Sequence, residues 1–398
     1  MIMHFKKYFT FAALFLPFTP FTKEIGLVKI AGVDLDILSY PFFVFSLLLF
    51  LFLGKISVSK KEAFIFTVVF LIGTVNVLIF EFPLISFFKQ FVLVMSMYLV
   101  AKTIMKYRDP IEIFKKYVDY AVIAAWIGIA QTLLKLIGIH ILSPYKGLDS
   151  LALEPSHYII MILPAFVYLL EKKAFNKKFF LLLLTLFLTF KLTFFLAIVT
   201  YFSIRNIYKF KKLVFILPIL LLLSMYMVNH NIAFQKRINS AIKFTQTQDM
   251  SSIDNLTTFS FLSNLEVAKS NFIMTYGVGV GLGGHETTYI RNFKDIDIYS
   301  ENWRGTNMKS AHSLLIRVFS ELGILGLLIL FMLFYKSYKI KHVEYKIIAW
   351  ASLSHFVAKF FKSGSYFDYG TIFFLVMIIV IIQLDKKKTK EHCKELSL

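Results

Sequence analysis

The sequence predicts an all-α, polytopic integral membrane protein of about twelve transmembrane helices, with both termini cytoplasmic and one large extracytoplasmic loop between spans 9 and 10. Three observations lead there. The 398 residues are 58% hydrophobic, include 46 Phe and have a mean hydropathy of +0.69, more apolar surface than a soluble core of that length buries. Several apolar runs reach the roughly 17 to 25 residues that cross about 30 Å of hydrocarbon, where a helix satisfies every backbone group internally. The net charge of +20 is gathered in short basic clusters between those runs. Such spacing encodes topology rather than a nucleic-acid partner. The single cysteine, Cys393, leaves neither a disulfide framework nor a cysteine metal site, and no metal or other cofactor is expected.

The clusters Lys6-Lys7, Lys60-Lys61, Lys106 to Lys116, Lys172 to Lys178, Arg205 to Lys212, Lys336 to Lys346 and Lys386 to Lys390 are assigned to the inside. An even number of crossings must separate successive clusters. The spans are then roughly 9–21, 37–54, 63–80, 84–105, 117–139, 158–170, 179–190, 192–204, 213–228, 313–335, 347–362 and 368–384. The first lacks an Ala-x-Ala cleavage site and reads as a retained span. Residues 1–228 thus hold nine spans with short loops, 229–312 the large external loop, 313–384 three more spans and 385–398 a basic tail.

Residues 179–204 admit two readings, one long helix or two short ones. Basic residues on both flanks favour a hairpin with Lys191 at its outer tip; a single helix would leave Lys191 near mid-membrane, where an ionisable group is costly and usually functional.

The sharpest local signal lies where the large loop meets the tenth span, His312-Ser-Leu-Leu-Ile-Arg317-Val-Phe-Ser-Glu321-Leu-Gly323-Ile-Leu-Gly326. Ser313, Arg317 and Glu321 follow at i, i+4 and i+8, a polar stripe that enters the membrane from outside and ends about 12 Å below His312. Such a stripe implies a wet cavity or a buried pair, and an Arg317–Glu321 ion pair that only fastens helices is the plainer alternative. A histidine at the outer end of a helix titrates near neutrality and can take a proton from a hydroxyl. Glu154-Pro-Ser-His157 stands at the mouth of the sixth span, where Glu154 either caps the helix or faces a site. Lys362 and Tyr366 either bind phosphate and sugar or anchor the chain at the interface. Gly279, Gly281 and Gly284 satisfy G-x-G-x-x-G, but an external loop of a helical protein lacks the βαβ unit that a dinucleotide site needs. The run reads as a flexible turn or as a backbone-amide nest.

The order His312-Ser313, nine residues, then Gly323-x-x-Gly326 resembles the signature of the bacterial O-antigen ligase and polymerase superfamily. The glycine run Tyr276 to Gly284, Glu154-Pro-Ser-His157-Tyr and Lys362-Ser-Gly-Ser-Tyr366 are similar to further landmarks of these proteins, the second to one of their polysaccharide-polymerase branch. The landmarks cover Glu154 to Tyr366; the first 150 residues match in hydropathy alone. The resemblance implies metal-independent glycosyl transfer on the outer face of the bacterial plasma membrane. Donor and acceptor would be oligosaccharides on undecaprenyl diphosphate, and a flippase and a chain-length regulator would be partners beside membrane lipid. In that reading His312 is the base; Arg237, Arg291, Arg304, Arg317 and Lys191 are candidates for the diphosphate, through bidentate guanidinium contacts or a point charge. Glu154, His157, Glu321, Lys362 and Tyr366 would bind glycan or orient the acceptor. Many relatives place an arginine shortly before the glycine run, where this chain reads Phe261-Leu-Ser-Asn-Leu265. A polymerase is the main expectation; a ligase moving finished glycan to lipid A core and a flippase are the alternatives.

Overall fold

The computed structural model describes residues 2–23, 25–30, 33–139, 147–206 and 232–395. The predicted ninth span, 213–228, lies outside them. Among the described residues the chain forms fourteen α-helices and one small hairpin of strands.

Helix α1 (Ile2–Phe15) passes into a 3-10 turn, Leu16–Phe21, because Pro17 and Pro20 have no N–H for a regular ladder. Strands β1 (Leu27–Ile30) and β2 (Val33–Asp36) pair antiparallel, a detail the hydropathy pattern does not predict. The carboxylate of Asp36 then accepts the backbone N–H groups of Leu38 and Ser39 at the start of α2 (Ser39–Phe52). Helix α3 (Lys60–Phe80) opens on a capping box between Ser59 and Glu62. Helices α4 (Leu84–Tyr107) and α5 (Pro110–Leu136) follow, the second capped by Asp109 with Pro110 in its first turn. Next come α6 (Pro155–Glu171), α7 (Lys177–Leu188) and α8 (Leu192–Arg205). The large loop is itself helical, with α9 (Ile232–Thr247), α10 (Leu256–Met274) and α11 (Gly284–Asn292). Helices α12 (Leu314–Tyr338), α13 (Val343–Lys359) and α14 (Thr371–Glu395) complete the chain.

Four of these, α3, α4, α5 and α12, together with the helical stretch Asp368–Glu391, are long and apolar enough to cross a membrane. Helices α6 and α13 form the centre and are buried on nearly every side, whereas α2, α3 and α12 turn Phe45, Leu48, Phe64, Leu71, Leu78, Leu328 and Phe331 outward. An exposed apolar rim around an apolar centre fits lipid as the surrounding solvent.

The stretch 179–204 is two helices. Tyr158 donates to Thr185 Oγ1 at 2.8 Å and Phe166 stacks on Phe179, so α7 runs antiparallel to α6. Phe190 turns the chain at φ +51°, and α8 returns until Tyr201 and Arg205 reach the Glu171 carboxylate. Lys191 sits at the turn, half-buried.

Ion pairs gather at the two ends of the bundle. Lys102–Glu62, Lys178–Asp119, Arg205–Glu171, Lys172–Glu344 and His342–Asp385 tie the ends that the charge pattern assigns to the inside. The opposite end holds Lys362–Glu154, Lys23–Asp368 and Arg317–Glu321.

Candidate active site

The site is built around a broken helix. Gly323 in α12 adopts φ +54° and ψ −139°, a conformation that only glycine adopts without strain, and it divides the helix. The glycine run between α10 and α11 lies across the break. Val280 N–H donates to the Ser320 carbonyl at 3.0 Å, Gly281 N–H to that of Glu321 at 2.8 Å, and Ile324 N–H to that of Gly277 at 2.9 Å. The side-chain amide of Asn76 on α3 donates to the Gly279 carbonyl. The run forms neither a flexible turn nor an open nest: two of its amides, those of Val280 and Gly281, are committed to the carbonyls that the break leaves without partners. The spacing from His312 to Gly323 and Gly326 is thereby explained as a helix start followed, three turns later, by a repaired break.

Above the break Ser313 caps α12, its Oγ accepting the Ile316 N–H at 3.3 Å. Arg317 lies buried with Nε 3.2 Å from Glu321 Oε1, Nη2 2.7 Å from Gln90 Oε1 and its guanidinium 4.5 Å from the centre of the Tyr366 ring. The predicted polar stripe exists, and its Arg317–Glu321 pair is buried. Tyr366 is likewise buried beneath the guanidinium rather than placed as an interfacial anchor.

The segment Lys362 to Tyr366 joins these groups. Lys362 Nζ meets Glu154 Oε1 at 2.8 Å, the Gly364 carbonyl faces Arg317, and the Gly364 Cα lies against the backbone of Ser310 and Ser313. A Cβ at 364 would collide with both of those carbonyls, so the glycine in this motif serves close backbone approach. Glu154 makes no side-chain cap for α6. Its carboxylate turns instead to Lys362, to Ser156 Oγ at 2.6 Å and to His157 Nε2 at 3.4 Å, and His157 Nδ1 lies 2.8 Å from the Tyr369 hydroxyl. Burial works to raise the Glu154 pKa, but His157, Lys362 and the hydrogen bonds outweigh it and hold the carboxyl at about 2.

His312 is buried at φ +59°, behind Ala311 at φ +50°, on the loop that Gly364 supports. Ser260 Oγ lies 3.0 Å from its Nδ1 and the Phe261 ring meets it edge-on. Burial first, then the charges of Lys362 and Arg237, push its pKa down to about 4 against the opposing pull of Glu154. The imidazole is therefore held neutral with a lone pair available, though as a weaker base than an ordinary histidine.

Of the candidate cations, Arg237 on α9 stays exposed yet close enough for its charge to reach His312. Arg291 on α11 donates to the Phe80 carbonyl and lies over Phe82. Arg304 is occupied with the Glu301 carboxylate and with the carbonyls of Phe293, Lys294 and Ile296, which it draws into one turn. Lys191 stays at the α7–α8 turn. The structure thus brings His312, Glu154, His157, Arg317, Glu321, Lys362 and Tyr366 into one linked cluster with Arg237 at its edge. Arg291 and Arg304 have their interactions elsewhere.

Several contributors escaped the sequence. Gln90 and the fully buried Lys359 are polar residues inside predicted spans, which is itself a signal. Lys359 Nζ holds the Ser365 and Asp368 carbonyls and Thr371 Oγ1, fixing the loop that carries Lys362 and Tyr366. Ser260, Asn307 and His285 carry no local signal. His285 bridges Asn264 Oδ1 and Ser320 Oγ beneath the glycine run, and burial followed by the Arg317 charge pushes its pKa down to about 3.

An apolar cleft of about 250 Å³ descends from this cluster between α3, α4, α12 and α14. Leu314 and Tyr366 stand at the end beside the cluster, Phe66, Val94, Leu322 and Leu375 along it, and Glu62 and Tyr98 at the far end.

Residues 179–331 match the family model described as O-antigen ligase. This segment is similar to an O-antigen ligase domain. It runs from α7 into α12 and includes the glycine run, His312 and the helix break, so the match supports a relation of that constellation to the O-antigen ligase/polymerase superfamily, whose members transfer glycosyl groups. No curated protein and no solved structure matches the chain significantly. The matched segment does not extend to Glu154 or to Lys362 and Tyr366; those join it through packing.

Proposed function

We propose that the chain is a polysaccharide polymerase of the bacterial plasma membrane, extending surface glycan on its outer face from undecaprenyl-diphosphate-linked repeat units. The observation that carries this reading is the position of a neutral, buried His312 and its cation-rich surroundings at the head of an apolar cleft. A lipid-linked sugar diphosphate has the matching shape: a long apolar tail, an anionic head and a sugar held at the membrane surface.

In this mechanism the acceptor sugar hydroxyl attacks the anomeric carbon of the donor chain while the bond from that carbon to the diphosphate oxygen breaks. His312 takes the hydroxyl proton, and undecaprenyl diphosphate leaves with the bonding electrons. Arg237 at the edge and Lys362 within supply positive charge for the departing diphosphate, and Arg317 holds the floor beneath. Glu154, paired with Lys362 and His157, presents acceptor oxygens to sugar hydroxyls.

A ligase that passes finished glycan to lipid A core is the second reading, favoured by the description of the matching family. Glu154-Pro-Ser-His157 favours the polymerase through its likeness to that branch. Deleting the gene and resolving surface glycan on a gel separates them: single-repeat products indicate a polymerase, and polymer retained on its lipid carrier a ligase. Lipid-linked units trapped inside would indicate a flippase and refute both. His312→Ala should insert normally and abolish chain growth; wild-type chain lengths in that variant would remove His312 from the chemistry.

A further inference from the structure

Ser260 belongs to none of the sequence motifs, yet its hydroxyl touches the candidate base. It stands on α10 with Oγ 3.0 Å from His312 Nδ1. Asn307 Nδ2 donates to the same Oγ at 2.8 Å, and the Thr306 carbonyl lies 3.5 Å away. Asn264 on the next turn of α10 fixes that carbonyl by donating to it at 3.2 Å.

A hydroxyl has one proton and two acceptor positions. The Asn307 Nδ2 group, a donor only, occupies one acceptor position. The hydroxyl proton can then turn toward His312 or toward Thr306. Turned to His312, it binds a bare Nδ1 and the imidazole carries its own proton on Nε2. Turned to Thr306, it leaves Oγ free to accept from Nδ1–H, and Nε2 keeps a lone pair. Only the second arrangement presents a base at Nε2, and only it suits the imidazolium, in which both nitrogens carry protons.

We propose that Asn307, Ser260 and the Thr306 carbonyl form a relay that receives Nδ1–H of His312 when Nε2 is protonated, the arrangement in which the Nδ1–H tautomer serves as the base. Ser260 is accordingly a positioning residue. The inference rests on the glycosyl-transfer reading and names what orients its base. The proton balance is simple: the acceptor hydroxyl proton passes to Nε2, Nδ1–H donates to Ser260 Oγ, and the Ser260 proton donates to the Thr306 carbonyl. The charged groups facing His312 are Lys362 from the α13–α14 loop, Arg237 from α9 and Glu154 from the start of α6. Two of the three are cations and oppose the imidazolium, so the relay and Glu154 stabilise it.

The test uses the full chain in vesicles with a lipid-linked repeat unit, comparing wild type, Ser260→Ala, Ser260→Thr and His312→Ala across pH. Ser260→Ala is expected to lower kcat by about 10- to 100-fold with KM little changed. Its acid limb should move to lower pH, because the imidazolium loses an acceptor, and Ser260→Thr should restore most of the rate. An unaltered rate and pH profile in Ser260→Ala beside an inactive His312→Ala overturns the relay alone. Equal loss in the Ala and Thr variants with an unshifted profile makes Ser260 a packing residue and also overturns it. Full activity in His312→Ala overturns the base assignment, and the relay with it.

Discussion

His312 and His285 show how much a residue's chemistry depends on what surrounds it. Both imidazoles are buried and held neutral, with pKa values near 4 and 3 against an ordinary 6.5. The unfolded chain binds more protons than the folded one between those values and 6.5, so the sign is fixed: stability is fully present above about pH 6.5 and is lost as pH falls. Thermal unfolding in detergent should show Tm falling through this window. Replacing His285, whose two nitrogens only bind Asn264 and Ser320, by Asn should flatten that slope and lower Tm at neutral pH. An acid slope unchanged in the variant would remove His285 as a source. At the same scale, Asn307, Ala311 and His312 all take positive φ within six positions, a concentration of backbone strain at the candidate site.

At the scale of elements, helix α12 and the glycine run are one unit. Breaking a helix inside an apolar layer leaves carbonyls without partners, and the backbone of residues 277–281 supplies them with N–H donors. Gly323→Ala would place a Cβ against the Gly277 carbonyl and force a backbone that costs on the order of 1–3 kcal/mol. Gly364→Ala would push the Lys362–Tyr366 segment off the His312 loop at a similar cost, about 1–3 kcal/mol. Both variants should lower Tm and lose most glycan synthesis. Normal activity in Gly364→Ala would show that the close approach is dispensable.

Across the whole molecule, the polar cluster and the apolar cleft share one border, at Leu314 and Tyr366. A substrate with a charged head and a long apolar tail uses both at once. Filling the cleft should therefore act on binding rather than on chemistry. Leu322→Trp is expected to raise KM for the lipid-linked donor several-fold while kcat at saturation changes little, measured on vesicles with varied donor. A fall in kcat with KM unchanged would place the tail elsewhere. The far end of the cleft closes on Glu62, which accepts from Tyr98 and pairs with Lys102, so its floor is polar and fixed.

The sequence by itself determined the apolar character, the order of the helices and most of their limits, because each depends on local length, hydropathy and charge. It also marked His312, Glu154, Arg317 and Lys362, since a polar residue at the end of an apolar run stands out. The break of 179–204 into two helices was legible from charge on its flanks. Only the tertiary structure decided what these residues do to one another. Glu154 meets Lys362 across 208 positions of sequence, and Arg317 meets Gln90 across 227. Ser260 reaches His312 from α10. The glycine run was ambiguous for the same reason. Its N–H groups are alike in any turn, and their role is set by the carbonyls opposite, which a helix broken some forty residues later supplies.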